Sequence, residues 1–100
     1  MWAFLFYKGA ALYFLGELEE AAELLERSCH MPTVNFIPFM WLMATYARIG
    51  REEELDKVLE NARQLEPGLS IAFLKATFKS ARGEGWAAFY DTLRSASVPE

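Results

Sequence analysis

Two glycines set 34 residues apart, Gly16 and Gly50, divide the first two thirds of this chain into matching halves. Each follows a run of apolar helix formers and precedes an acidic amphipathic stretch, and Thr33 and Pro67 close the two halves at the same offset. A glycine between two helical runs is the residue that ends a helix in a left-handed turn. The pattern is a helix-turn-helix unit used twice, and a unit of this size must stack on a neighbour to bury its apolar face. Stacked units present surfaces, so the period points to binding sooner than to chemistry.

The halves predict four helices. Residues 2–15 carry no Pro and no breaking pair, and Gly16 stops the run. Residues 17–29 place Leu18, Ala21, Ala22, Leu25 and Ser28 on one stripe and glutamates on the other side, the pattern of a helix with one wet face. Asn35 is available as the next cap and Pro38 fits a first helical turn, opening a third helix that runs to about Ile49 with no charge before Arg48. A fourth, Glu52 to Leu65, buries Leu55, Val58, Leu59 and Ala62. Glu23 with Arg27, and Glu53 with Lys57, stand four apart in the favourable order on the wet faces. After Pro67 and Gly68, Ser70 caps a fifth helix through Phe78, Gly83 and Gly85 break the chain, and a sixth helix runs from about Trp86 to Ala96. These last two depart from the period, as the terminal units of a stacked array do.

Composition narrows the class. Hydrophobic residues make up 53% of the 100 residues and aromatics 15%, enough for one core and too many for a disordered chain. The net charge of -4, with bases scattered singly among glutamates, offers no basic footprint for nucleic acid. Cys29 is the only cysteine, so no disulfide forms within the chain and a cytoplasmic setting is expected. The opening run is apolar apart from Lys8, but it is shorter than the roughly 20 residues of a span. It also lacks the basic start and cleavage site of a signal peptide. No membrane association is expected.

The two units resemble tetratricopeptide repeats over about residues 2–67. The first offers Leu5, Gly9, Leu12, Gly16, Ala21, Leu25 and Ser28, with Pro32 one place early; the second offers Phe39, Leu42, Tyr46, Gly50, Leu59, Ala62 and Pro67. Departures from the family pattern are Lys8 at an apolar place, Met43 at the small one and Leu55 where alanine is usual. The resemblance implies an all-α superhelix of stacked antiparallel hairpins, about six helices in a single domain over 1–100. Repeat one would cover about 2–33, repeat two about 36–67 and capping helices about 69–97. Pro67-Gly68-Leu69-Ser70 and the closing run Leu93 to Glu100 resemble the ends of such arrays in bacterial proteins with an upstream adenylate cyclase or winged-helix regulator domain. Ser97 stands where those tails often have glycine. This implies the C-terminal part of a longer bacterial regulator.

In that family the inner helices line a groove. The matching positions here are Phe6, Tyr7, Ala10, Tyr13 and Phe14 from the first unit and Ile37, Met40, Trp41, Ala44 and Arg48 from the second. They imply an aromatic groove for a partner helix or extended peptide, with Arg48 and Lys8 at its rim; alternatively these side chains meet the last helix or a neighbouring repeat. Groove positions that hold a peptide carboxylate in some family members are mostly apolar here, against that kind of clamp. Trp2, Phe4 and Leu5 give the first helix no polar outer face, so upstream repeats or a second copy of the chain are expected to cover it. The leading expectation is a non-catalytic protein-interaction scaffold; the alternative is a regulatory sensor holding a small apolar ligand among Phe6, Tyr13, Trp41 and Trp86. No metal or cofactor is expected. The glutamate runs read as solvated faces, Cys29 and His30 lack a third orienting group, and Gly83-Glu84-Gly85 lacks the context of a phosphate loop.

Overall fold

The same backbone turn is built twice. Gly16 has φ 86° and Gly50 φ 94°, values that side chains with a Cβ rarely adopt. The residue after each glycine repeats as well: Glu17 sits at φ -83°, ψ 70° and Arg51 at φ -90°, ψ 73°. Glu17 N donates to Leu12 O at 2.9 Å, and Arg51 N donates to Tyr46 O at 3.0 Å, the equivalent bond 34 residues on. In a computed structural model describing residues 2–31, 35–78, 83–96 and 98–100, these turns join α1 (Trp2–Leu15) to α2 (Leu18–Cys29) and α3 (Ile37–Ile49) to α4 (Glu52–Leu65). Thr33, which closes the first half in the sequence pattern, lies outside the described residues together with Pro32.

Among the described residues the fold is all-α, six helices with sequence neighbours packed against each other: α1 on α2, α2 on α3, α3 on α4. Two further helices complete it, the short α5 (Ile71–Thr77) and α6 (Glu84–Ser95). Ser70 caps α5 as the sequence suggests, its Oγ accepting from Phe73 N at 3.0 Å. Two more amides of that first turn find acceptors: Ile71 N donates to Pro99 O at 2.7 Å and Ala72 N to Glu100 O at 2.9 Å. The end of the chain thus satisfies helix donors that have no intrahelical partner. Helix α6 starts two residues before the expected Trp86, because Gly83 at φ 112° takes the cap position and Gly85 is accommodated in the first turn. Asn35 lies one residue before the cap Phe36, yet its Oδ1 accepts from Ile37 N at 2.9 Å.

Helix α3 is the axis of the core. Its residues Pro38 to Tyr46 are all buried, because α1, α2, α4 and α6 surround it. A helix apolar on every side requires such enclosure, and the sequence leaves α3 uncharged until Arg48. The three departures from the repeat pattern are absorbed locally: Lys8 is exposed, while Met43 and Leu55 are buried. The whole measures 28 × 27 × 27 Å, nearly isometric, since α6 folds back onto α3 instead of extending the stack.

Candidate functional site

Helix α1 has the composition of α3 without its enclosure. It packs on α2 and α3, which cover Phe6, Ala10 and Tyr13, and it leaves Phe4, Tyr7 and Leu15 at 71%, 70% and 75% exposure. These three, with exposed Lys8 and Ala11, fall on one face at helical spacing. Leu5 beside them is half-buried, and the side chain of Trp2 lies outside the described residues.

The groove between α1 and α3 is occupied along its middle by α6. Phe89, fully buried, lays its ring over Trp41 at a centroid distance of 4.4 Å and meets Tyr13 edge-on at 5.8 Å. Two clefts sharing Phe14 remain. The first, about 350 Å³, is lined by Phe6, Tyr7, Ala10 and Phe14 of α1, Ile37 and Trp41 of α3, Phe78 at the end of α5, and Trp86 of α6. The second, about 320 Å³, lies among Tyr13, Phe14, Arg48, Gly85, Ala88 and Thr92. There the Arg48 guanidinium sits 5.1 Å from the Tyr13 ring centre, a cation over an aromatic face.

Six of the ten groove residues expected from the sequence, Phe6, Tyr7, Ala10, Phe14, Ile37 and Trp41, therefore meet around one cleft, and Tyr13 and Arg48, with Phe14 again, around the next. Met40 and Ala44 are fully buried and line neither, being sealed by the helices around α3. Phe78 was not among the sequence candidates, and nothing in a periodic pattern would have selected it, since it lies beyond the last repeat.

A third cleft, about 410 Å³, opens between α2, α3 and α4, and Cys29 and His30 both line it. The Tyr46 hydroxyl donates to Glu26 Oε1. Arg51 stacks over the Tyr46 ring at 4.8 Å and donates its Nε to Glu54 Oε1 at 3.0 Å. His30 Nδ1 lies 2.7 Å from Glu26 O, a local contact at the end of α2. Burial, with the charge of Glu26 adding to it, pushes the Cys29 thiol from 9.0 up to about 12, which is the state of an inert cysteine. Among the described residues no three His, Cys, Asp or Glu side chains are grouped to hold a metal ion.

The raised thiol has a consequence for stability. The unfolded chain releases this proton near pH 9.0 while the folded chain keeps it to about 12, so stability is full below pH 9.0 and declines as the pH climbs toward 12. Burial shifts Tyr46 and Tyr90 upward too, adding to the loss at high pH. Urea midpoints should fall from pH 8 to pH 11, and Cys29→Ala should flatten the early part of that decline. Equal slopes in the two proteins would place the titration elsewhere.

Comparison with protein-family models, with curated proteins and with solved structures finds no match to this chain. No helix among the described residues is long and apolar enough to cross a membrane.

Proposed function

We propose that this chain is a non-catalytic protein-interaction module of the tetratricopeptide type, the C-terminal part of a larger bacterial regulator. It binds a protein partner, or a second copy of itself, through the outer face of α1. The face itself carries the reading: Phe4, Tyr7 and Leu15 stand more than two-thirds exposed on one side of a single helix. Single exposed apolar residues are ordinary, but a row of large ones on a rigid element marks an interaction site. The repeated turn geometry at Gly16 and Gly50 supports the repeat assignment, and the resemblance of the closing run supports the regulator context. Lys8, exposed on the same face of α1, supplies a charged group beside the apolar row, as such interfaces carry at their polar parts.

Replacing Phe4 and Leu15 together by glutamate tests the reading. Both side chains project from the fold, so each change should alter stability by less than about 0.5 kcal/mol. Association should weaken by about 30-fold or more, as when an aromatic anchor is lost from an interface. Light scattering across a concentration series reports self-association; co-purification of tagged chain reports a partner. A complex of either kind that survives the double substitution sinks the proposal.

A further inference from the structure

The open face of α1 carries a spacing that its own reversed copy matches. Phe4, Lys8, Ala11 and Leu15 follow one another at gaps of four, three and four residues, the rhythm of a seam between two helices. Read from either end, the gaps are the same. All four residues are exposed, and they lie opposite the buried side formed by Phe6, Gly9, Ala10 and Tyr13. Apolar flanks run beside the seam: Tyr7 and Phe14, both exposed, on one edge, and the half-buried Leu5 and Leu12 on the other. Lys8 is the only charged residue in α1.

We propose that the occupant of this face is a second copy of the chain, its α1 laid antiparallel across a two-fold axis that passes between residues 9 and 10; this rests on the outer face of α1 being the interaction surface. About such an axis every contact recurs on the other side. Phe4 meets the partner's Leu15, Lys8 meets the partner's Ala11, and Tyr7 faces the partner's Phe14. The longest polar side chain of the seam thus lies over its smallest residue. A parallel pair would set Lys8 against the partner's Lys8 and leave a gap between two alanines. Helical side chains lean toward their own N-terminus, so antiparallel packing carries each Lys8 ammonium away from the other and toward the C-terminal end of the partner's α1. That end is the negative pole of the helix dipole. No basic residue stands in the last turn of α1, and the exposed acids Glu17, Glu19 and Glu20 follow it, so a second copy supplies the charge that Lys8 needs. The area suffices as well. Phe4, Tyr7, Phe14 and Leu15 are 71%, 70%, 43% and 75% exposed, which at about 200 Å² a side chain presents about 500 Å² per copy. Two copies then bury about 1,000 Å², the size at which a specific interface begins, before Leu5, Lys8, Ala11 and Leu12 are counted.

Sedimentation of the intact chain, over a concentration series into the high micromolar range, should show a monomer passing to a dimer and to nothing larger. Lys8→Met, which makes the seam wholly apolar, should tighten that association about ten-fold. Direction is read by disulfide trapping in a Cys29→Ala background under a mild oxidant. A mixture of Phe4→Cys and Leu15→Cys chains keeps one complete Phe4 and Leu15 contact and brings its two cysteines together at the other end, so it should link into a covalent dimer. Either variant alone, with its two cysteines about 16 Å apart along the helix axis, should link about ten-fold less. A chain that stays monomeric overturns the second copy; if a protein then co-purifies and is released by the paired glutamate substitutions at Phe4 and Leu15, the α1 surface stands with a different occupant. Efficient linking of either cysteine variant alone, or looser association of Lys8→Met, also overturns the antiparallel pair.

Discussion

Phe89→Ala should lower the unfolding temperature by about 12 to 40 °C, among the largest effects that one truncation can have on this chain. Removing a fully buried phenylalanine costs about 3–5 kcal/mol, and for a domain of this size each kcal/mol shifts the midpoint by roughly 4–8 °C. Phe89 belongs at the top of that range of sites because its ring meets Tyr13, Phe14, Trp41, Trp86 and Tyr90 at once. It is the side chain through which α6 enters the groove, so its loss leaves a cavity under Trp41 and loosens the helix that closes the fold. Set against a total stability of about 5–15 kcal/mol, the variant is close to unfolding. The matched control is Asp91→Ala on the same helix, which removes one end of an exposed ion pair with Arg94 and should change stability by less than about 1 kcal/mol. If calorimetry found Phe89→Ala as stable as that control, α6 would not be docked on α3.

Most of the element boundaries are set by local chemistry. The ends of α1 and α3 coincide with Gly16 and Gly50 because only those positions tolerate the left-handed turn, and α4 spans Glu52–Leu65 as its stripe of Leu55, Val58, Leu59 and Ala62 dictates. Local chemistry loses its hold where two segments distant in sequence choose each other. Helices α1 and α3 read alike, apolar on all sides, yet α3 is enclosed from Pro38 to Tyr46 while α1 keeps an open face. The difference is made by α4 and α6, both of which pack on α3, and of the two it is α6 that comes from outside the repeated pattern. That choice depends on how the rings of Phe89 and Trp86 fit around Trp41, and complementarity of shape leaves no periodic trace. The same holds for the Glu26 to Tyr46 bond, which joins residues twenty apart in neighbouring hairpins. It holds also for the cleft, whose wall includes Phe78 and Trp86 from beyond the pattern that located Phe6, Tyr7 and Ala10.

The period also conceals a difference between the two hairpins, and Gly9 exposes it. Position 9 corresponds to Met43 at the 34-residue offset, and Leu25 corresponds to Leu59. A Cβ added at Gly9 would lie 2.8 Å from Leu25 Cγ and 2.9 Å from its Cδ2, so α1 approaches α2 to a distance that admits no side chain there. Leu25 is fully buried, so a shift of its side chain must displace packed neighbours. In an open helix Gly→Ala stabilises by about 1 kcal/mol through propensity alone. Here the overlap, worth about 1–3 kcal/mol against folding, should cancel or reverse that gain, and the bulkier Gly9→Val should be destabilising outright by about 1–3 kcal/mol. Leu25→Ala alone should cost about 2–5 kcal/mol through its cavity. Combined with Gly9→Val it should cost less than the sum, by a coupling of about 0.5–3 kcal/mol, because each change fills or vacates space that the other occupies. Urea unfolding of the four proteins closes this cycle. Additive losses, or a full propensity gain in Gly9→Ala, would mean that the helices are not in the contact described. The close approach has a bearing beyond stability: it fixes the rotation of α1 on α2, and that rotation turns Phe4, Tyr7 and Leu15 outward together while Phe6, Ala10 and Tyr13 turn in.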